Sequence, residues 1–525
     1  MPNDRPGNFQ RFAPFLVGIV LVGLWVFLVL LSRGLDFPFF PEEWRSGFAW
    51  EVDNRFMPTG TYLVVHALGC LLLYLLFLQL KRGKWMLSAS SLLAFSVVLR
   101  LVAMWGEPIH ESDFYRYIWD GKSSISGINP YRFEPGALYL WREEIEEPFE
   151  DANTSVMWRG REFSAEEGEI LEKLELLRLE EPNWFSRVSH QAVTTVYPPV
   201  AQAVFAISAW IGGWSAIGLK LILICFDMGI VFLLISLSRR FGMSLGWLVV
   251  YAWNPIVIKE FANSAHYDAV PVFFSVLALW VATRPGGSSI RKAGWVGLVV
   301  AVGTLAKYFT VLLLPILLIW IACRHKPSRS WVQRLFSTEV FAGCAVFGLA
   351  MLLAFLPFVW WNDAGLENVF SGLKTYSQHW QNNPGFFAFV ERGLFYLGVE
   401  NSFNVAKSIS AIILSAVALG MGLSPIRDER ELSARCFAIV AALFLLSPTA
   451  FPWYYCWVLA FVSLQPRWSW LILGALLPLN YFDFQPESDL VVAHVSIGGF
   501  YILSISIWIV FYLAWIGERI LRNSR

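Results

Sequence analysis

The feature that most constrains this chain is the recurrence of apolar runs long enough to cross a membrane. A helix needs about 20 predominantly apolar residues to traverse ~30 Å of hydrocarbon. Runs of that kind stand at 13–32 (APFLVGIVLVGLWVFLVLLS), 61–80, 85–105, 217–238, 268–283, 305–322, 338–358, 404–424, 434–450, 468–482 and 491–516. Shorter apolar pieces at 198–213, 244–258, 293–304, 387–398 and 453–465 read as half-helices or short spans. Composition agrees, since 56% of the 525 residues are hydrophobic and 15% are charged, outside the balance of a soluble globular chain. The expected fold class is an all-α polytopic membrane protein, a bundle of about 13 to 15 transmembrane or half-membrane helices.

Arg5 and Arg11 precede the first span and no small-residue cleavage site follows it, so it reads as a retained helix. The formal net charge is +0, and no basic stripe interleaved with aromatics marks a nucleic-acid partner. The six cysteines stand singly in apolar segments without a CxxC pair, which argues for packing over disulfides or Cys-based metal sites. Short basic connections occur at Lys81-Arg82-Lys84, Arg239-Arg240, Arg284 to Lys292, Arg324 to Arg329 and Arg427 to Arg435. The positive-inside rule makes these cytoplasmic, with both termini, and places 260–268, 358–386, 448–453 and 483–490 on the outer face. In 197–238 and 387–424 two apolar pieces must make one net crossing, so one of each pair is expected to be re-entrant or short.

The large polar part, about 106–196, has two characters. From Glu134 to Glu181 there are fifteen Asp or Glu against five Lys or Arg. Ser164 and Glu167 form a capping box there, ahead of an apolar helix face of Ile170, Leu171, Leu174 and Leu177. Its first part, HESDFYRYIWDG (110–121), crowds Asp113, Arg116 and Asp120 among aromatics at the membrane boundary. One reading of that cluster is an interfacial belt with solvated charges. Three more polar clusters on the same expected face favour a site: VYPPVAQ (196–202), NPIVIKEFANSAHYDA (254–269) and TYSQHWQNNPG (375–385).

SDFYRYIWDG, then GINPYRF (127–133), YPP opening the next helix, WNPIVIKEFANSAHYD (253–268) and SPTAFPWYYCW (447–457) together resemble the GT-C superfamily of integral-membrane glycosyltransferases. The resemblance is to its polyprenyl-phosphate-mannose-dependent branch, including the catalytic subunit of GPI mannosyltransferase I and bacterial mannosyltransferases. It covers about residues 85–460, and the first two spans look like an addition to it. On that basis the chain divides into 1–84, two additional N-terminal helices; 85–330, the GT-C-like part with its external loop; and 331–525, with an external loop at 359–386.

The resemblance implies a membrane enzyme, in a bacterial inner membrane, that moves a single sugar, mannose or another hexose, from a polyprenyl-phosphate donor to an extracytoplasmic lipid, glycan or protein acceptor. The absence of a P-loop or dinucleotide fingerprint fits a donor without a nucleotide. Asp113 matches the family's acid in the first external loop and is the expected general base, taking the proton of the attacking hydroxyl. Asp120 is a candidate to orient Arg116 or the acceptor, or to pair with Arg132. Arg116 and Lys307 are the candidates for the donor phosphate, where negative charge develops. Lys259 sits beside Glu260 and reads equally as a local ion pair. Lys307 interrupts an apolar stretch, where a charge needs a partner or a task, though a lysine snorkelling to the surface is the simpler alternative.

Tyr197, in the YPP motif, and the pair His266 and Asp268 are candidates for the donor or acceptor. Tyr376, His379, Trp380, Gln381 and Asn382 supply the aromatic faces and amides that hold sugars. No metal is expected to be obligatory. If a divalent ion, Mn or Mg, is used, His266 and Asp268 are the expected ligands, with a third from Asp113, Glu111 or His379. Two other classes stay open: a lipid or sugar transporter or flippase, and a polymerase or ligase moving a lipid-linked glycan.

Overall fold

The computed structural model describes residues 8–33, 59–141, 164–326, 328, 330–484 and 497–523. The acidic stretch 142–163 and the expected external stretch beyond residue 484 lie outside them. Among the described residues the chain is helical, and the extended pairing consists of one isolated bridge, Asn382 with Thr449. The principal helices are α1 (Asn8–Ser32), α2 (Thr59–Lys81), α3 (Ala89–Met104), α4 (Asp113–Ile125), α5 (Ala165–Glu180), α6 (Pro199–Gly212), α7 (Ile217–Arg240), α8 (Ala269–Ala282) and α9 (Ser289–Ala306). They continue with α10 (Leu314–His325), α11 (Thr338–Trp360), α12 (Gly365–His379), α13 (Phe386–Tyr396), α14 (Ser402–Leu423), α15 (Glu429–Leu446), α16 (Tyr455–Val462), α17 (Trp468–Leu476) and α18 (Ile497–Asn523).

Eight helical segments among these residues are long and apolar enough to cross a membrane, and Ala89–Met104, Pro199–Gly212, Ala269–Ala282 and Pro452–Val462 are shorter apolar helices. That arrangement fits a polytopic membrane protein. Several expected spans are shorter than their apolar runs. Ser88 caps α3 by accepting from Ser91 N–H, so the run 85–105 yields a 16-residue helix, about 24 Å long. The run 468–482 splits after α17, where Leu477–Phe484 tightens into a 3₁₀ turn around Pro478. In the pairs 197–238 and 387–424, one helix is short (α6, 14 residues; α13, 11) and its neighbour long (α7, 24; α14, 22).

A continuous core runs from Leu21 in α1 to Phe511 in α18. At its centre the chain does not form one helix over 244–263. Leu245–Leu248 is a 3₁₀ turn and Val249–Ala252 a single α turn, and Asn254 then caps Pro255–Val257 by accepting from Ile256 N–H at 3.1 Å. Pro255 lacks the N–H that a continuous helix needs, which forces the break. Ile258–Asn263 follows as a π turn, a wide form that concentrates at functional sites. This broken element is held by Arg100 of α3, whose guanidinium donates to Asp227 Oδ2 (2.7 Å) and Ala252 O (2.7 Å), while Tyr251 donates to Asp227 Oδ1 (2.8 Å). Arg100 and Asp227 are both fully buried, so removing either would strand a charge in the core.

Candidate functional site

Four segments converge on a cavity of about 370 Å³: the start of α4, the irregular stretch 189–197, the end of α12, and 451–454. The volume lies within the range of small-ligand pockets. Helix α4 begins at Asp113 because the Glu111 side chain turns back to accept from Ser112 N–H (2.9 Å) and Asp113 N–H (2.6 Å), satisfying donors that a helix start leaves open. It is pressed against α6 at Gly121, where a Cβ would stand 2.2 Å from Phe205 O. The opposite wall is seated in the same way: at Gly372 a Cβ would lie 2.3 Å from Thr194 O, and Thr194 Oγ1 shares a 2.7 Å hydrogen bond with Ser371.

Asp113 stands on the cavity wall, partly open to it yet enclosed by protein. Its Oδ2 accepts from Tyr117 (3.3 Å), whose hydroxyl accepts from Tyr197 (3.1 Å). Burial and then the neighbouring Glu111 charge raise its pKa, with His266, His190 and Lys307 opposing. Burial also pushes Glu111 up to about 7, against Lys259 and the two backbone N–H groups it accepts from. A carboxyl poised near neutrality at the mouth of a cavity is equipped to exchange a proton.

His266 is buried and stacks on Trp453 with ring centroids 3.9 Å apart. Its Nε2 faces Glu111 Oε2 and, at 3.4 Å, Glu260 Oε2, and neither ring nitrogen makes a well-formed hydrogen bond among the described residues. Glu111, Asp113 and His266 place ligand atoms within 4.8 Å of one another. Two carboxylates and an imidazole without a settled proton partner fit a divalent cation. The expected pairing of His266 with Asp268 differs from this grouping. Asp268 Oδ1 instead accepts from Lys307 (2.6 Å) and Trp457 Nε1 (2.5 Å), with Oδ2 left without a partner among the described residues.

Lys307 occupies the break between α9 and the turn Tyr308–Leu313, in extended backbone. Its Nζ sits 4.3 Å from the centroid of the Tyr454 ring, which lines the cavity, and 5.1 Å from that of Trp457. Arg116 also lines the cavity, with three of its five N–H donors engaged: Nε to Asp120 (2.9 Å), Nη1 to His190 O (3.1 Å) and Nη2 to Val193 O (2.9 Å). Asp120 pairs with Arg116 and not with Arg132, which reaches Glu167 (3.2 Å). Lys259 forms the local ion pair with Glu260 (3.1 Å) and donates to Tyr481 (2.7 Å).

Tyr376 bonds to Tyr454 (3.0 Å) and Thr449 (3.3 Å), and Trp380 packs edge-on to His190 at 4.7 Å; all but Thr449 line the cavity. His379 is exposed and Gln381 bonds outward to Glu391 (3.1 Å), both away from the lining. Asn382 is used by its backbone, donating to Pro448 O and accepting from Ala450 N–H. Sequence reasoning did not single out His190, Tyr117, Trp453 or Tyr454 as site residues. Trp453 and Tyr454 stood in a quoted motif, whereas nothing near His190 distinguishes it. His110, His190 and Ala265 all have left-handed φ, at 48°, 52° and 60°. Such strain in non-glycine residues gathers where geometry serves function. None of the protein-family models, curated proteins or solved structures compared with this chain matches it.

Proposed function

We propose that this chain is a GT-C-type membrane glycosyltransferase that moves one hexose from a polyprenyl-phosphate donor to an acceptor hydroxyl on the extracytoplasmic side. The observation that carries the reading is the meeting, in one cavity, of a carboxylate with raised pKa (Asp113) and an aromatic wall behind which Lys307 is held. In the reaction, Asp113 takes the proton from the acceptor hydroxyl as its oxygen bonds to the anomeric carbon. The bond from that carbon to the phosphate oxygen breaks on the opposite face, so the configuration inverts and polyprenyl phosphate leaves with the electron pair. Lys307 offers positive charge to the leaving phosphate, while Tyr376, Trp380, Trp453 and Tyr454 exclude water and offer ring faces to the sugar. Were a divalent cation bound, Glu111, Asp113 and His266 would hold it and it would supply charge for the phosphate, with Asp113 then a ligand and not the base.

The test is to incubate the purified protein with polyprenyl-phosphate mannose, glucose and arabinose in turn and analyse extracted lipids and glycans by mass. The mannose or the glucose donor should yield a product one hexose heavier; no transfer from either, with intact protein, or transfer from the arabinose donor alone, overturns the reading. Transfer should also survive exhaustive chelation, since Lys307 supplies charge without an ion. Complete loss restored by Mn²⁺ or Mg²⁺ would make Asp113 a ligand in place of a base. The broken helix 245–263, with its buried Lys259–Glu260 pair, favours a second reading as a transporter. Counterflow of labelled lipid in vesicles without sugar transfer would select it.

A further inference from the structure

Three of the basic connections read in the sequence meet at one place. The end of α8, the turn 283–288, the start of α9, the end of α10 and the first residue of α15 enclose a cavity of about 340 Å³ that shares no lining residue with the site cavity. A charge that only sets topology has to do no more than face water, whereas Arg284, Lys292 and Arg324 all line this one space. Glu429 is the one carboxylate among its described lining residues. Three positive charges less one negative leave two. Arg240 stands close by, bonded to Trp280 O and Thr283 Oγ1 (both 2.9 Å). Glu339 is buried beside the cavity, accepting from Ser289 (3.1 Å) and facing His325 (3.8 Å), and does not line it.

The donors of this cluster are only partly used. Arg284 is exposed and rests over the Trp280 ring, 5.6 Å from its centroid, a contact that takes the face of the guanidinium and leaves its N–H edges free. It makes no hydrogen bond or ion pair with any described residue. Lys292 Nζ donates to Arg284 O (2.5 Å), which leaves two of an ammonium's three donors. Arg324 gives Nη2 to Glu429 (3.2 Å) while its side chain is 60% exposed, and a surface pair of that kind is worth little against a stronger anion. The charges that act on Lys292 are those of Arg240, Arg324 and Arg284, all of its own sign. Gly286 and Gly287, with φ of 70° and 79°, have nothing within 4 Å of where a Cβ would stand, so at these two positions the turn presents bare backbone. Like charges gathered around a cavity raise its potential and draw an anion.

We propose that this cavity binds a phosphate group carrying two negative charges, as a phosphomonoester does near neutral pH. The guanidinium edges of Arg284 and Arg324 and the Lys292 ammonium are its donors. Two sources present that chemistry, the headgroup of an anionic lipid in the adjoining leaflet and phosphate in free solution, and the test separates them. The site is distinct from the sugar-transfer reading and stands or falls without it.

The test is titration of the delipidated full chain in detergent, at one fixed ionic strength, with short-chain phosphatidic acid, short-chain phosphatidylglycerol and inorganic phosphate, read by microscale thermophoresis. Phosphatidic acid should bind saturably and about tenfold tighter than phosphatidylglycerol, whose phosphodiester carries one charge. Inorganic phosphate binding as tightly as phosphatidic acid makes the free group the source, and weaker binding makes it the lipid. Arg284→Gln and Lys292→Met should each weaken phosphatidic acid about tenfold. Glu429→Gln should tighten it, a change of opposite sign that damage to the fold would not produce. Lys173→Gln, at an exposed position on α5, removes the same charge elsewhere and should change nothing. Absence of saturable binding, phosphatidylglycerol binding as tightly as phosphatidic acid, or equal affinities in Lys173→Gln and Arg284→Gln would overturn the assignment.

Discussion

At the scale of single residues, the proposal rests on Asp113, and Asp113→Asn separates chemistry from folding because it keeps the shape and loses the base. General-base assistance contributes ~10² to 10⁴-fold in rate, so the variant should lose transfer to that order in an assay of labelled product while its thermal stability stays near wild type. A variant retaining more than about a tenth of the rate would rule the base out. The pH dependence follows from the raised pKa. Asp113 is active only when ionised, so activity should rise with pH, and burial and Glu111 place that rise above the ordinary carboxylate range. The Glu111 charge is one cause of the raised value, so Glu111→Gln should move the rise to lower pH; a profile that does not move would show that Glu111 does not act on Asp113. Stability has a related sign. A carboxyl whose pKa is raised to about 7 in the folded chain favours folding while protonated. The stability it contributes is therefore full at acid pH and falls as pH climbs through its ordinary value towards 7.

At the scale of elements, the site depends on how closely α4 approaches α6. Gly121 has no room for a methyl group because Phe205 O lies 2.2 Å from where its Cβ would be. Gly121→Ala should lower stability by about 1–3 kcal/mol and reduce transfer further, since the start of the helix carries Asp113. Gly23→Ala, in α1 with nothing within 4 Å, should be near neutral in the same melting and transfer assays; equal effects of the two would show that the contact does not position the site. Much of this was legible in the sequence where chemistry is local. The capping box of Ser164 with Glu167 and the face of Ile170, Leu171, Leu174 and Leu177 form as their spacing predicts, with those four residues buried. The clusters around Asp113, Tyr197, Tyr376 and Trp380 were readable as polar islands in apolar sequence, and they meet in one cavity. What was not readable depends on the break at Pro255 and the π turn after it. These turn His266 towards Glu111 and leave Asp268 to Lys307, which alternating positions in a sequence do not specify. For the same reason His379 and Gln381 could not be told from Trp380, since the end of α12 at His379 decides which of the neighbours faces inward.

At the scale of the whole molecule, the question is which side of the membrane the cavity opens to. Helix α11 with its extensions, Trp331–Asp363, is only 6% buried in its most apolar window, and Phe341 and Leu349 are exposed along it, as expected of a surface facing lipid. Helix α11 is preceded by the basic connection around Arg324 and Lys326 and followed by α12, whose end carries Tyr376 and Trp380. If α11 crosses the membrane its two ends lie on opposite faces, and the orientation we propose, by the positive-inside rule, has the basic end in the cytoplasm. In a background with the six cysteines replaced, Gln378→Cys and Lys326→Cys report on the two sides, because both positions are exposed. A membrane-impermeant thiol reagent applied to intact cells should label Gln378→Cys and leave Lys326→Cys unlabelled until the membrane is opened. A polyprenyl-phosphate sugar presented on the outer leaflet can reach Asp113 only in that orientation. The reverse pattern would move the cavity to the cytoplasmic face, where nucleotide sugars are within reach, and the proposed donor would have to be abandoned while the bundle itself stood unchanged.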